Sequence, residues 1–129
     1  MKTYLIETDI LIDLFNRQEK ADTIISELSK KGRLVSSAVT IAELRAGWDD
    51  KKASFYMPKV YAIVEVVSLT KEIAEYAGKL RNTYGKKGQV LPTVDTLIAA
   101  TCIMNNYTLV TRNVRHYPMK EIDLYKMEN

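Results

Sequence analysis

Tyr4-Leu-Ile-Glu7-Thr-Asp9 is an apolar segment that runs directly into two carboxylates. Thr40-Ile-Ala-Glu43-Leu and Leu91-Pro-Thr-Val-Asp95-Thr-Leu-Ile-Ala also place a carboxylate where an apolar strand ends or a helix begins. Carboxylates are costly beside a hydrophobic core, and two of them about 4 Å apart repel by roughly 4 kcal/mol at an effective dielectric near 20. Because three gathered carboxylates need a cation to hold them, these phrases predict a divalent-metal site in an α/β domain.

Length and composition indicate one globular domain over residues 1–129. Hydrophobic residues make up 47% and charged residues 27%, which is typical of a folded domain rather than a disordered tail or a membrane protein. The apolar segment before Glu7 is too short for a signal peptide, and no later segment has the apolar length needed to cross a bilayer. The single cysteine, Cys102, cannot form an internal disulfide, which favours a reducing cytoplasm.

The basic residues of the chain are clustered, although the net charge is only +3. The clusters are Lys30 to Arg33, Lys51-Lys52, Lys79 to Arg81, Lys86-Lys87 and Arg112 to Lys120. A basic rim around an acidic metal pocket suits a nucleic-acid ligand, because the rim neutralises phosphates. The alternative for any one cluster is a solvated surface with no ligand.

Apolar periodicity predicts strands that alternate with helices. Strands are predicted over 4–6, 34–36, 63–67 and 108–111, with a short edge strand over 122–125. Helices are predicted over 10–15, 21–31, 40–48, 52–61 and 93–104 and from residue 70 onwards, with a basic loop over 85–88. This alternation predicts a three-layer α/β/α fold around a parallel sheet of four to five strands. Ligands of such sheets bind beyond the carboxyl ends of the strands, where Glu7 and Thr111-Arg-Asn113 lie.

Each acid of the predicted site also has a structural interpretation. Glu43 fits a capping box in which its carboxylate bonds back to the amide of Thr40. Asp95 falls in a first helical turn, where a carboxylate favours the positive end of the helix dipole. Asp9 is a helix N-terminal acid, a second metal-site acid, or both. Asn113 is either a turn residue or a neutral oxygen ligand.

Two other groups have weaker interpretations. His116, the single histidine, has no nucleophile or second histidine at an interpretable spacing, so we interpret it as a surface or RNA-contacting residue. The remaining aspartates, among them Asp13, are expected to be solvated. The joint occurrence of Glu7, Glu43, Asp95 and Asn113 in this order therefore carries the prediction of a site.

Four phrases together resemble the PIN domain, specifically the VapC-type ribonuclease toxins of toxin–antitoxin pairs. They are Tyr4-Leu-Ile-Glu-Thr-Asp-Ile-Leu-Ile-Asp13, Ser37-Ala-Val-Thr-Ile-Ala-Glu-Leu-Arg-Ala-Gly47, Thr93-Val-Asp-Thr-Leu-Ile-Ala-Ala100 and Leu109-Val-Thr-Arg-Asn-Val-Arg-His116. The resemblance covers nearly the full chain. It implies a PIN-like α/β/α fold, cleavage of structured RNA (transfer RNA or ribosomal RNA) that depends on Mg²⁺ or Mn²⁺, a VapB-type antitoxin as partner, and a homodimer.

The resemblance also assigns roles to individual residues. Glu7, Glu43 and Asp95 stand at the three metal-binding acids of the family, and Asn113 stands where a fourth acid or an asparagine completes the catalytic set. The positions that support this shell are Thr8, Asp9 and Thr111. The basic residues expected to contact RNA are Arg112, Arg115, His116, Lys86 and Lys87.

Glu7 departs from the family pattern, because the first acid is normally an aspartate followed by threonine. The extra methylene moves the carboxylate outward by about 1.5 Å, while Mg²⁺ requires near-octahedral oxygens at about 2.1 Å. An error of about 1 Å in a catalytic group can cost about a hundredfold in rate. Glu7 is therefore either a variant for which the backbone compensates or a change that weakens the nuclease. The alternative function is a catalytically silent PIN-fold module that binds RNA or an antitoxin.

Two rival classes fit the sequence less well. A phosphoacceptor signalling domain requires an acid at the end of the third strand, and residues 63–67 are followed by Ser68 instead. A dinucleotide-binding enzyme requires a glycine-rich turn after the first strand, and here the first strand is followed by Glu7.

Overall fold

The computed structural model describes residues 1–127, which form an alternating series of strands and helices. The strands found in this range are β1 Lys2–Ile6, β2 Gly32–Ser37, β3 Glu65–Val67, β4 Thr108–Val110 and β5 Asp123–Leu124. The α-helices are α1 Thr8–Phe15, α2 Glu19–Lys31, α3 Ala38–Ala46, α4 Asp50–Ile63, α5 Lys71–Lys86 and α6 Thr93–Asn105. A short 3₁₀ turn covers Val114–His116.

The strands form one sheet in the order β3-β2-β1-β4-β5, and every neighbouring pair is parallel. β1 is central, with Leu5 opposite Val35 of β2 on one side and opposite Leu109 of β4 on the other. The predicted parallel sheet is therefore confirmed, including its short edge strand β5.

The side chains of the central strands alternate between two hydrophobic cores, one on each face of the sheet. Leu5, Val35 and Leu109 belong to the core that α5 and α6 cover. Tyr4 and Ile6 belong to the opposite core, to which α1, α2, α3 and α4 contribute apolar side chains. Because both faces are covered by helices, the fold has three layers, as the sequence predicts.

Several predicted boundaries differ from the structure, and two of them move residues from one predicted element into another. The third strand begins at Glu65 rather than residue 63, because α4 continues to Ile63, whose side chain packs against the second core. The preference of β-branched residues for strands depends on how their side chains pack. The β-branched residues at 63–67 therefore did not show where the helix ends and the strand begins. The predicted loop over 85–88 begins later, since α5 extends through Gly85 to Lys86.

Gly32 has a second role that its position after a helix does not reveal. It ends α2 and is also the first residue of β2, directly opposite Lys2 of β1. A Cβ atom on Gly32 would lie 2.0 Å from the carbonyl oxygen of Lys2. The pairing of β1 with β2 therefore requires a glycine at this close backbone approach.

The single cysteine, Cys102, is 1% exposed, and burial raises the pKa of its thiol. No helix within residues 1–127 combines the length and the apolar character that a membrane span needs.

Candidate functional site

Two of the predicted site residues, Glu7 and Thr111, lie at the carboxyl ends of neighbouring parallel strands. Glu7 follows β1 directly, and its backbone N–H donates to the carbonyl of Val110, the last residue of β4, at 3.1 Å. Thr111 follows β4, and Asp95 lies in the first turn of α6. Parallel strands bring their carboxyl ends to one edge of the sheet, which is why residues distant in sequence meet there.

Glu7 is a buried carboxylate with one satisfied oxygen. Glu7 is only 7% exposed, and its Oε1 accepts a hydrogen bond from the hydroxyl of Tyr117. Its Oε2 has no hydrogen-bond partner among the described residues. Burial raises the pKa of Glu7, and the nearby carboxylates of Asp9 and Asp95 add to this, whereas the hydroxyls of Thr111 and Tyr117 oppose it. Such a carboxylate is suited to bind a cation.

Asp9 holds the start of α1 to the segment after β4. Its Oδ2 accepts from the backbone N–H of Arg112 at 2.8 Å and from the hydroxyl of Thr111 at 3.3 Å. Its Oδ1 accepts from the backbone N–H of Ile10 at 2.8 Å. The hydroxyl oxygen of Thr111 in turn accepts a hydrogen bond from the backbone N–H of Asn113 at 3.0 Å. Asp9 and Thr111 thus support the site by fixing the backbone that carries it.

Glu43 does not form the capping box that the sequence allows. Helix α3 begins earlier, at Ala38, and its cap is Ser37, whose side chain accepts from the amide of Val39 at 3.1 Å. Glu43 instead accepts a hydrogen bond from the hydroxyl of Thr8 at 2.6 Å. The capping interpretation of Glu43 is therefore wrong, and its carboxylate is connected to the residue that follows Glu7.

Asp95 is paired with the single histidine of the chain. The Nδ1 of His116 lies 3.3 Å from Oδ2 of Asp95. Burial raises the pKa of Asp95, and His116 opposes that rise. A cavity of about 360 Å³ adjoins this pair, and its lining residues are Gln89, Val90, Leu91, Pro92, Asp95, Arg115, His116 and Pro118. His116 therefore contacts the site directly, which its sequence context did not indicate.

The basic residues expected to contact RNA lie in three places. Arg112 donates from its guanidinium to both carboxylate oxygens of Asp13, at 2.6 and 3.2 Å, so Asp13 is not the solvated acid that the sequence suggested. Arg115 lies with His116 in the 3₁₀ turn, beside Asp95. Lys86 and Lys87 lie at the end of α5, where the ammonium of Lys87 is 5.2 Å from the ring centroid of Tyr84.

Tyr117 is the site residue that the sequence analysis missed. It is 2% exposed, and its hydroxyl donates a hydrogen bond to Oε1 of Glu7. The two residues are 110 positions apart, and Tyr117 follows the recognised phrase without belonging to it. No local pattern connects them, because the contact forms only when the sheet brings β1 beside β4.

The donors at this edge are oxygen atoms, which is the set that Mg²⁺ and Mn²⁺ prefer. The unpartnered Oε2 of Glu7 fits such an ion. In the present side-chain arrangement, however, no group of three or more histidine, cysteine, aspartate or glutamate side chains in residues 1–127 is close enough to hold a metal. The acids of the predicted site therefore do not form a closed metal cluster in this arrangement.

Comparison with known proteins places this architecture in a family. The PIN domain matches residues 4–122. Ribonuclease VapC19 of Mycobacterium tuberculosis is 32% identical over 120 residues, covering 89% of this chain and 92% of the relative. The chain belongs to the PIN-domain family. Within it, the similarity is to the VapC ribonucleases.

Solved structures share the fold over nearly the whole chain. VapBC2 from Rickettsia felis, bound to a DNA fragment from its promoter, matches with a TM-score of 0.83 and 24% identity, covering 95% of this chain and 97% of the other. A toxin–antitoxin complex from Klebsiella pneumoniae matches with a TM-score of 0.75 and 22% identity, covering 97% and 98%. The PIN-like fold predicted from the sequence is confirmed.

Proposed function

We propose that this chain is a metal-dependent endoribonuclease, the toxin of a type II toxin–antitoxin pair, that cleaves transfer RNA or ribosomal RNA. The observation that carries the proposal is the buried Glu7 carboxylate, which has one unpartnered oxygen and lies within electrostatic reach of Asp95 and Asp9. Holding such charge at the carboxyl edge of a parallel sheet costs stability, and a bound cation offsets that cost. The similarity to VapC ribonucleases supports RNA as the substrate.

The residues that would hold Mg²⁺ or Mn²⁺ are Glu7, Asp95 and Glu43, with Asn113 completing the set. Glu43 is exposed, and the hydrogen bond from Thr8 keeps its carboxylate beside the residue that follows Glu7. When bound, the metal supplies Lewis-acid activation of water and stabilises charge on the phosphate. Asp9 and Thr111 keep the backbone of the site in place throughout.

The basic residues near the site would bind phosphates that flank the cleaved bond. Arg115 and His116 adjoin Asp95, so they are placed to contact the RNA beside the reacting phosphate. Arg112 is paired with Asp13, and we propose that it contributes less to RNA binding than Arg115 does. Contacts of this kind set affinity and register but not base choice.

The test is cleavage of a labelled transfer-RNA and ribosomal-RNA pool with Mg²⁺ or Mn²⁺, compared with the same reaction in a chelator. The unchanged protein is expected to cut only with metal, and Asp95→Asn is expected to abolish cleavage while circular dichroism shows an unchanged fold. Undiminished cleavage by purified Asp95→Asn protein would refute the metal-site proposal. RNA that is retained but never cut, at any metal concentration, would favour the binding-module alternative.

We also propose a VapB-type antitoxin as partner, a homodimer as the oligomeric state and the reducing cytoplasm as the compartment. The fold match to a toxin–antitoxin complex supports the first of these. Co-purification with an antitoxin encoded beside this chain, followed by light scattering of the free protein, tests the partner and the dimer. A free protein with a mass of one chain at micromolar concentration would contradict the dimer.

A further inference from the structure

Tyr117 is placed to control the orientation of the Glu7 carboxylate. Both residues are buried, Tyr117 at 2% and Glu7 at 7% exposure, so water does not compete freely for either group. The phenolic hydroxyl donates to Oε1, which leaves Oε2 as the acceptor without a partner among residues 1–127. A donor on one oxygen restricts rotation of the carboxylate and determines which oxygen faces the site.

The length of the glutamate side chain is part of this geometry. An aspartate at position 7 would place its carboxylate about one bond, roughly 1.5 Å, nearer the backbone. A hydrogen bond lengthened by that amount is lost, because O–H···O contacts span about 2.5–3.0 Å. The contact with Tyr117 therefore belongs to glutamate and would not form with aspartate in the same backbone.

We propose that Tyr117 is a positioning residue for Glu7: it holds Oε1, directs Oε2 toward the divalent cation, and so lets the site use a glutamate as its first acid. The proposal rests on the proposed function, since it concerns the same cation. In this chain the hydrogen bond from Tyr117 compensates for the longer side chain of glutamate at position 7. Partners that orient a metal ligand in this way typically contribute about 10- to 100-fold in metal affinity or activity.

The first experiment measures Mn²⁺ affinity by isothermal titration calorimetry for the unchanged protein, Tyr117→Phe, Glu7→Asp and the double variant. Tyr117→Phe is expected to weaken binding by about 10- to 100-fold. In the Glu7→Asp background the same tyrosine change is expected to leave the affinity unchanged, because no hydrogen bond remains to be lost.

Tyr84→Phe is the matched control. Tyr84 is also a buried tyrosine whose hydroxyl donates to a glutamate, Glu121, at 2.7 Å. Its removal is expected to leave Mn²⁺ affinity unchanged. A Tyr117→Phe protein that binds Mn²⁺ as the unchanged protein does, or that loses the same factor in both backgrounds, would overturn the positioning role. Failure of the unchanged protein to bind Mn²⁺ would instead overturn the metal part of the proposed function, together with this inference.

A second measurement does not depend on the folding of Tyr117→Phe. A tyrosine hydroxyl proton held in a buried hydrogen bond exchanges slowly enough to be observed by proton NMR. The unchanged protein is expected to show this resonance for Tyr117, and Glu7→Asp is expected to lose it. A Tyr117 hydroxyl resonance that persists unshifted in Glu7→Asp would show that the hydroxyl is held by another group, and the inference would fail.

Discussion

Two tyrosine–glutamate pairs in this protein have the same chemistry and opposite electrostatics. In one, Tyr117 donates to Glu7 at the carboxyl edge of the sheet; in the other, Tyr84 donates to Glu121 near the end of the chain. The pKa of Glu7 is raised, with burial as the largest cause. The pKa of Glu121 is lowered, with the hydrogen bond from Tyr84 as the largest cause.

The difference shows that a hydrogen bond alone does not identify a functional carboxylate. Glu121 is exposed, so water solvates its charge and the tyrosine adds a further stabilising donor. Glu7 is buried beside other acids, so its charge is costly even with the same donor. A buried carboxylate with a raised pKa, placed where two neighbouring strands end, is typical of binding sites.

The largest expected effect separates the two glutamates by activity. Glu7→Gln removes a charged ligand and is expected to lower metal-dependent RNA cleavage by about a hundredfold or more, since even a 1 Å misplacement costs about that much. Glu121→Gln is expected to cleave at the unchanged rate. Initial rates on labelled RNA measure both, and equal losses in the two variants would break the distinction between the pairs.

A smaller effect separates the two tyrosines by stability. Tyr117→Phe removes a hydrogen-bond donor from a buried carboxylate and is expected to lower the free energy of unfolding by about 1.5–3 kcal/mol. Tyr84→Phe leaves Glu121 in water and is expected to cost about 0.5–1.5 kcal/mol. Urea denaturation without metal provides both values, and a larger loss for Tyr84→Phe would contradict the burial argument.

The smallest effect is the pH dependence of stability, which should have opposite signs for the two glutamates. Because the folded pKa of Glu7 lies above its ordinary 4.5, its stabilising contribution is present at low pH and is lost as pH rises through the folded pKa. Glu7→Gln should therefore gain stability, relative to the unchanged protein, between pH 4 and 7.

Glu121 has a lowered folded pKa, so its contribution is present above its ordinary pKa and is lost as pH falls through the folded one. Glu121→Gln should accordingly lose stability at pH 7 and little at low pH. Urea midpoints across this range, measured without metal, check both glutamates. Parallel pH profiles for the two variants would remove the electrostatic contrast between the pairs.

Some of the structure was predictable because its signals are local. The continuous apolar run Tyr4, Leu5 and Ile6 predicted a strand, and the structure distributes its side chains between the two cores on opposite faces of the sheet. Other signals were local but ambiguous. Glu43 satisfied the spacing of a capping box with Thr40 as the N-cap. The helix nevertheless begins at Ala38, so its N-cap is Ser37, three residues before Thr40.

The sequence by itself determined the order of strands and helices, the parallel sheet, and the placement of Glu7, Asp95 and Thr111 where strands end or helices begin. These follow from periodicity and from the cost of charge near apolar segments, which act over a few residues. Only the tertiary structure decided the partners of these groups. Tyr117 contacts Glu7, and Arg112 contacts Asp13, across about a hundred residues of sequence. Such contacts depend on how the chain crosses the sheet, so no local sequence pattern predicts them.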